Sequence, residues 1–199
     1  MCIKYWKNIK MQLIGITGLI GSGKTTVGQI LRELGFVVFD MDVWCRKMYF
    51  DKEFLKRIKE LFPQTFYNNT FNKRKLRNLV FSNSDELKKL ESLVHPYLIE
   101  KILKNIHHFR FNPHLFFIET ALLYKMRLDK YCSSVIITKA PYDVMKERVM
   151  KRDLIDGEGF ENIIKNQDIF INNFSPYVID TNQPLTILKA DIIKLIEGL

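Results

Sequence analysis

The chain has little of what would cross-link or anchor a small protein. Its 199 residues contain only three cysteines, Cys2, Cys45 and Cys132, and no two of them form a CxxC pair. This odd number and spacing argue against a disulfide framework or a zinc site and suit a reducing cytosol. No stretch approaches the roughly 20 uncharged apolar residues of a membrane-spanning helix. We therefore expect a cytoplasmic protein with no membrane partner.

Acidic residues are also in deficit, with 22 Asp and Glu against 31 Lys and Arg, a net charge of +9. A basic protein attracts anionic partners such as nucleic acid, acidic lipid or phosphorylated small molecules. The cations are scattered, however, and the densest group, at residues 73–77, is short and reads as a solvated helix face. We therefore give the charge little weight and expect no nucleic-acid partner.

Internal repeats and low-complexity linkers are absent from the sequence, and the length fits one domain, or one domain with an insertion. Apolar residues make up 47% and charged residues 27%, as in ordinary globular proteins. Three lysines precede a short apolar stretch, as at the start of a secretory signal, but no small-residue cleavage site follows. We interpret residues 1–10 as an extension, with Met11 as a candidate first residue, and expect one domain over residues 11–199.

Strand-like and helix-like segments alternate at both ends of the chain, which predicts a doubly wound parallel α/β sheet. Short apolar runs predict strands at 12–17, 36–40, 115–119, 134–138 and 177–180. Apolar spacings of three and four predict helices at 24–34 and 140–153. A further helix is predicted after a flexible break at 156–159, with Phe160 and Ile171 on one side. The last helix is predicted to start at Pro184, with Leu185 and Leu188 on its apolar face. We expect the second strand to adjoin the first as one βαβ unit.

The middle of the chain changes character over residues 43–110, where strand signals vanish and helix formers take over. We predict a helical insertion between strands, divided by irregular segments around 63–72 and 82–84. Pro96 interrupts a helical pattern, so a helix is expected to end or kink at His95.

One motif carries clear chemistry, because Gly18-x-x-x-x-Gly23-Lys24-Thr25 fits the Walker A pattern. Glycines let successive backbone N–H groups point at phosphate oxygens, and the following helix directs its positive end at the same anion. The lysine bridges the β- and γ-phosphates as a point charge, and the threonine hydroxyl is a ligand for Mg²⁺. The motif predicts ATP and Mg²⁺ as cofactors, with nucleotide-binding residues Gly18, Gly21, Ser22, Gly23, Lys24, Thr25 and Thr26. It does not identify the acceptor of the phosphate.

Acidic residues at strand ends supply candidates for the acceptor side. Asp40 and Asp42 lie just past the second strand, and ligands of doubly wound sheets bind beyond the carboxyl ends of strands. If the strand continues through them, residues two apart point to the same side of the sheet, so we expect Asp40 and Asp42 to share one side. A carboxylate there could accept the proton of an attacking hydroxyl, although both residues could instead cap a helix. Glu119 ends a later strand, where an acid would hold a Mg²⁺-bound water, so Thr25 and Glu119 are the candidate metal residues. The alternative for Glu119 is a plain surface carboxylate.

Two arginines one helical turn apart, Arg148 and Arg152, share one face of a predicted helix. Such a pair can clamp phosphates or the transferring group. The alternative is a pair of surface arginines bonded to Glu147 or Asp156.

At this point the sequence resembles the dephospho-CoA kinase family. The resemblance covers residues 12–199, and the elements that carry it are ITGLIGSGKTT at 16–26, FDMD at 39–42 followed by Arg46, LE at 90–91 with LVHP at 93–96, ALLY at 121–124, RxxxRD at 148–153, Gln167 and YVID at 177–180. Walker A alone is widespread, whereas the D-x-D, HP and RxxxRD elements in this order are far more specific.

This resemblance implies ATP-dependent phosphorylation of the ribose 3′-hydroxyl of dephospho-CoA, the last step of coenzyme A synthesis. It implies a three-layer P-loop kinase fold with a parallel sheet, a helical acceptor-binding insertion at about 43–110 and a lid at about 145–170. Asp42 becomes the general base, and Lys24 and Arg148 complete the catalytic set, with Arg148 and Arg152 near ATP. The expected substrate contacts are Asp40, Asp42, Arg46, His95, Leu122 and Leu123. We expect a monomer or a weak homo-oligomer.

The sequence departs from the family pattern at several positions, most of them in the lid and adenine-binding region. Ala121 replaces a proline, Lys125 an acid, Met145 a glutamine and Thr181 an asparagine, and residues 168–171 replace basic and polar residues. Two other functions stay open. One is a P-loop kinase for another nucleotide or small molecule, and the other is a P-loop switch or nucleic-acid-stimulated ATPase.

Overall fold

The computed structural model describes residues 12–108, 115–165, 167 and 177–199. The extension at 1–10, Ile171 and the departures at 168–171 lie outside these residues. In chain order the elements are β1 (Gln12–Thr17), α1 (Lys24–Glu33), β2 (Val37–Asp40), α2 (Met41–Lys47), α3 (Lys52–Leu61), β3 (Phe66–Tyr67), β4 (Thr70–Phe71), α4 (Lys73–Ser82), α5 (Ser84–His108), β5 (Leu115–Glu119), β6 (Ser134–Lys139), α6 (Tyr142–Asp153), α7 (Gly157–Lys165), β7 (Tyr177–Asp180) and α8 (Leu185–Glu197).

The chain divides into two compact units. The described part of the first holds residues 12–40 and those from 115 onward, and the described part of the second holds residues 41–108. Of the helices in the described ranges, none is long and apolar enough to cross a bilayer.

The first unit is built on a five-stranded sheet in the order β2-β5-β1-β6-β7. All four pairings are parallel, which confirms the predicted parallel α/β sheet. The expectation that β2 adjoins β1 is wrong, because β5 lies between them. A helical crossover makes the two strands that it connects parallel, but it does not determine whether they are neighbours in the sheet. The sequence pattern therefore does not predict this strand order.

Apolar side chains from the sheet and two helices form the main core of the first unit. Ile14 and Ile16 of β1 are fully buried and pack with Val27 and Leu31 of α1. Leu188 and Ile192 of α8 join the same cluster. Leu185, predicted on this apolar face, is instead 63% exposed, since it opens the helix. The sheet flanked by helices is the fold class that the sequence predicts.

The second unit is mainly helical, with α2 to α5 and one short hairpin, β3–β4. The hairpin was not predicted. Its turn residues Asn68 and Asn69 both have positive φ, 46° and 62°, as a two-residue hairpin turn requires. The helix predicted to end or kink at His95 does not end there, because α5 continues through Pro96. Tyr97 and Leu98, which follow Pro96 directly, are almost fully buried, and this packing offsets the lost backbone donor.

The flexible break predicted at 156–159 is also shorter than expected. Helix α7 already begins at Gly157, and Asp156 Oδ1 accepts a 2.8 Å hydrogen bond from the Gly159 N–H. An aspartate before a helix satisfies such first-turn donors, and here its capping role outweighs the two glycines.

Candidate nucleotide-binding and phosphoryl-transfer site

The Walker A loop connects β1 to α1 and is shaped by its glycines. Gly21 and Gly23 have φ of 78° and 88°, which side chains rarely adopt. Gly23 is also packed so closely that a Cβ would lie 2.5 Å from Thr181 Oγ1. The buried Ser22 Oγ lies 2.7 Å from Thr138 Oγ1, which donates to Thr17 O. The loop is therefore held on its inner side by β6 and by the residue that follows β7.

The Lys24 ammonium lies along the same loop. Its Nζ donates to the carbonyl oxygens of Gly18 and Leu19 at 2.9 and 2.8 Å. These bonds fold the lysine back over the loop at the start of α1. A point charge in this place can move onto phosphate oxygens as a nucleotide binds.

Thr25 and Glu119 meet at the foot of the loop. Thr25 Oγ1 donates to Glu119 Oε1 at 2.7 Å, and the glutamate is 5% exposed. Arg32 Nη2 lies 3.7 Å from Glu119 Oε2, which accepts no hydrogen bond from the residues that are described. A Cβ on Gly28 would collide with that same oxygen. The interpretation of Glu119 as a plain surface carboxylate is therefore wrong.

Burial raises the pKa of Glu119 above the usual range of a glutamate. The hydrogen bond from Thr25 opposes this shift, and the charge of Asp40 reinforces it. Asp40 and Glu119 are register partners on β2 and β5, so two carboxyl groups end neighbouring strands. The carboxyl edge of the sheet is thus acidic directly beside the Walker A threonine.

Asp42 does not lie on a continuation of the β2 strand. The strand ends at Asp40, and Asp42 lies in the first turn of α2, where its side chain is exposed. Arg46 follows one turn later on the same helix and is also exposed. The alternation argument that put Asp40 and Asp42 on one side therefore fails, because the backbone changes from strand to helix between them.

The two arginines of α6 have different partners. Arg148 Nη1 donates to Thr181 Oγ1 at 2.9 Å and to Gly21 O at 3.2 Å, and Nη2 donates to Thr181 O at 3.0 Å. Arg152 forms a forked pair with Asp153, at 2.8 and 2.7 Å. The bonds of Arg148 therefore go to neither of the surface partners considered from the sequence, Glu147 and Asp156. Arg148 therefore contacts the Walker A loop, whereas Arg152 points to a neighbour on its own helix.

The remaining candidate residues are spread over both units. Thr26 is exposed in the first turn of α1, and His95 is half-buried in α5. Leu122 is 45% exposed, whereas Leu123 is fully buried and would meet a Cβ on Gly15 at 2.9 Å. Gln167 Oε1 accepts a 2.9 Å hydrogen bond from the Ile20 N–H, so the glutamine named by the resemblance contacts the Walker A loop.

Sequence reasoning missed two residues of this site. Gly28 belongs to no motif, and the need for a glycine at this helical position is evident only from its contact with Glu119 in the structure. Thr181 was noted only as a departure from asparagine. One signal for it was available, because it is the first polar residue after a strand that ends at the ligand-binding edge of the sheet.

The parallel sheet, the formed Walker A loop and the buried acid beside its threonine define a P-loop kinase. A sequence profile described as dephospho-CoA kinase matches residues 12–172. The chain is 35% identical over 196 residues to the dephospho-CoA kinase of Borreliella burgdorferi, covering 94% of each protein. It is 34% identical to that of Aquifex aeolicus, covering 95% of this chain and 98% of the relative. The chain belongs to the dephospho-CoA kinase family.

Two solved structures share the fold of this chain. TT1252 from Thermus thermophilus superposes with a TM-score of 0.80 at 29% identity, covering 95% of this chain and 98% of that one. A dephospho-CoA kinase from Campylobacter jejuni gives a TM-score of 0.61 at 21% identity over 95% and 97% of the two chains. At that identity the second match shows a shared fold.

Proposed function

We propose that this protein transfers the γ-phosphoryl group of ATP to the ribose 3′-hydroxyl of dephospho-CoA, giving coenzyme A and ADP. The observation that carries the proposal is a formed Walker A loop, with its threonine bonded to a buried strand-end acid, in a chain of this family. The bond that forms joins the 3′-oxygen to phosphorus, and the bond that breaks joins the γ-phosphorus to the β–γ bridging oxygen.

On the nucleotide side, the loop supplies backbone N–H groups and one mobile cation. Gly18, Gly21, Ser22 and Gly23 set the backbone, and Lys24 leaves the carbonyls of Gly18 and Leu19 for phosphate oxygens. A phosphoryl transfer spreads negative charge over the transferred group, so a lysine positioned there stabilises the transition state more than the ground state. Thr26 and Arg152 are proposed to contact the nucleotide from the rim. For Arg148 we keep a proposed role close to the phosphates.

The oxygen atoms at the foot of the loop fit Mg²⁺. Thr25 Oγ1 and Glu119 Oε1 are hard donors 2.7 Å apart, and Glu119 Oε2 is buried without a hydrogen bond among the described residues. Such a carboxylate suits a cation that prefers oxygen ligands and keeps several waters. The ion, when bound, would neutralise charge on the phosphates; Thr25 and Glu119 would hold it, Glu119 through a water.

On the acceptor side, we propose Asp42 as the general base. Its exposed carboxylate can accept the proton of the 3′-hydroxyl. We propose that Asp40 and Arg46 bind the ribose and its neighbouring groups. His95 and Leu122 are proposed contacts of the coenzyme A moiety. Leu123 is fully buried, so we propose that it supports its neighbour from below rather than touching the substrate directly.

Two other proposals complete the functional picture. Three cysteines without a pairing motif suit a reducing compartment, so we propose that the enzyme acts in the cytoplasm. We also propose that it works as a monomer or a weak homo-oligomer with no nucleic-acid partner. Sedimentation at several concentrations tests the oligomeric state, and the activity assay below tests whether nucleic acid stimulates the protein.

The experiment that tests the function follows ATP turnover by the purified protein with one candidate acceptor at a time. Dephospho-CoA, shikimate, DNA and RNA separate a dephospho-CoA kinase from another small-molecule kinase and from a nucleic-acid-stimulated ATPase. Shikimate is included because a shikimate kinase from Acinetobacter baumannii shares the fold, with a TM-score of 0.54. We expect stoichiometric ADP formation with dephospho-CoA only. Turnover stimulated by nucleic acid and indifferent to dephospho-CoA would replace the proposal.

A further inference from the structure

Thr181 is hydrogen-bonded to the Walker A loop, although it lies 159 positions from Ser22. It follows directly after β7 and is 5% exposed. Its Oγ1 accepts from Arg148 Nη1 at 2.9 Å. The hydroxyl hydrogen has two carbonyl oxygens within reach, and we assign it to Ser22 O at 2.9 Å because Lys139 O lies farther away at 3.3 Å. The N–H of Thr181 donates to Lys139 O at 2.9 Å, which ties it to the end of β6. One hydroxyl thus uses both its donor and its acceptor capacity on this loop and its support.

The contact with Ser22 O fixes one peptide unit. The peptide bonds among the described residues are all trans, so the carbonyl of Ser22 and the N–H of Gly23 point in opposite directions. Thr181 Oγ1 lies on the carbonyl side, and the Gly23 N–H is therefore turned away from it. Successive backbone N–H groups of a Walker A loop form the concavity that binds phosphate, so the orientation of the Gly23 N–H determines whether it can face that anion.

Arg148 strengthens the same arrangement from α6. One guanidinium nitrogen donates to both Thr181 Oγ1 and Gly21 O, while the other donates to Thr181 O. The carbonyls of Gly21 and Ser22 are thereby held by a charged donor and by a hydroxyl that this donor polarises. Bonds to a charged group are stronger than neutral ones, and a buried partner left unpaired carries a desolvation penalty.

We propose that Thr181, held by Arg148, is a positioning residue that orients the Ser22–Gly23 peptide and thereby sets the affinity of the loop for nucleotide phosphates. Thr181 touches no reacting atom in this account and acts through the loop backbone. The inference rests on the proposed use of ATP, but it does not depend on which acceptor receives the phosphate.

The test compares Thr181→Val with Thr181→Ser. Valine keeps the size and branching of threonine but offers no hydrogen bond, whereas serine keeps the hydroxyl. Thr186→Val, at an exposed position on α8, is the matched control. The dissociation constant of ADP is measured by calorimetry without an acceptor, well below the melting temperature of each variant, and KM is then measured for ATP and for dephospho-CoA separately.

We expect Thr181→Val to weaken ADP binding on the order of tenfold, the size of one buried hydrogen bond with an unpaired partner. We also expect it to raise KM for ATP and to leave KM for dephospho-CoA unchanged. Thr181→Ser and Thr186→Val should bind ADP as the wild type does. A purely structural role would lower thermal stability without this split between the two substrates.

Several results would overturn the proposal. ADP binding by Thr181→Val at wild-type strength would do so, and so would equal weakening by the serine variant. If the valine variant does not fold, ADP binding is compared between the serine variant and Arg148→Lys. The lysine keeps the positive charge but cannot bridge Gly21 O and Thr181. Undiminished ADP affinity in Arg148→Lys would then count against the proposed role of Thr181. A wild-type protein that binds no ADP would instead refute the proposed function.

Discussion

Thr25 and Glu119 lie 94 positions apart in the sequence, yet the threonine hydroxyl donates to the glutamate carboxylate across 2.7 Å. This bond joins the first turn of the helix that follows the Walker A loop to the carboxyl end of β5. The strand order makes it possible, because β5 lies directly beside β1. A strand-end acid and the Walker A threonine are therefore brought together by the topology of the sheet.

Replacing Lys24 by alanine should nearly abolish phosphoryl transfer while the fold survives. The ammonium meets charge that grows in the transition state, and losing such a donor costs about 10²–10³-fold in kcat. The measurement is kcat at saturating ATP, together with the melting temperature. Lys194→Ala, an exposed lysine on α8, is the control and should behave as wild type. Near wild-type turnover by Lys24→Ala would remove the lysine from the mechanism.

Replacing Asp42 by asparagine should lower kcat far more than it weakens ATP binding. A ribose hydroxyl is a poor nucleophile, and a positioned carboxylate is worth about 10²–10⁴-fold. Asp40→Asn is the direct comparison, because Asp40 is the neighbouring acid and pairs in register with Glu119. If Asp40→Asn stops the reaction while Asp42→Asn stays within a few-fold of wild type, the two roles are reversed.

Replacing Glu119 by glutamine should lower activity and improve stability at neutral pH. The side chain keeps its shape and an oxygen for Thr25 but loses the charge, so we expect about a 10- to 100-fold loss of activity at limiting Mg²⁺. Burial raises the pKa of the folded glutamate above its unfolded value. Its contribution to stability is therefore full below about pH 4.3 and is lost as pH rises through the raised pKa.

Melting temperatures measured from about pH 4 upward test the second half of this prediction, because the contribution begins to fall above the unfolded pKa. The wild type should lose more stability across that window than Glu119→Gln does, since glutamine stays neutral throughout. Equal pH dependence of the two proteins would show that the carboxyl group does not titrate in that window.

Replacing Gly28 by alanine should impair catalysis although alanine favours helices. Helix propensity alone predicts a gain of about 1 kcal/mol, but the added methyl would collide with Glu119 Oε2. We expect lower kcat and no net gain in stability. Gly157→Ala in α7 is the matched control, because among the described residues a Cβ there meets only the flexible end of Lys146 at 3.2 Å. A stabilised, fully active Gly28→Ala would show that Glu119 has room to move.

Local signals in the sequence predicted the elements of the fold better than their arrangement. Strands β1, β5 and β7 are apolar runs with clear ends, and the Walker A glycines identified the loop between β1 and α1. The position of β2 depends on which strand packs beside which, and the apolar runs of β1, β5 and β6 are too alike to decide this. The β3–β4 hairpin was hidden by strands of two residues each, too short for any alternation to register.

The site divides in the same way. Lys24 and Thr25 were predicted from the Walker A motif, whose residues are adjacent in the sequence. Glu119 was predicted because it ends a strand at the ligand-binding edge of the sheet. The partners of Arg148 did not follow, since Thr181 and Gly21 reach it only through tertiary packing. Asp42 was placed on a strand extension that α2 replaces, because the change from strand to helix leaves no mark in the residues 39–42.

Phosphorus NMR of the product purified after incubation with ATP and dephospho-CoA shows whether this chain places a phosphoryl group on the 3′-hydroxyl of dephospho-CoA. We expect one new monoester resonance that coincides with the 3′-phosphate of authentic coenzyme A, and we expect it to be absent with Lys24→Ala. A phosphate at any other position, or ADP release with dephospho-CoA recovered unchanged, would mean that the protein does not carry out the proposed reaction.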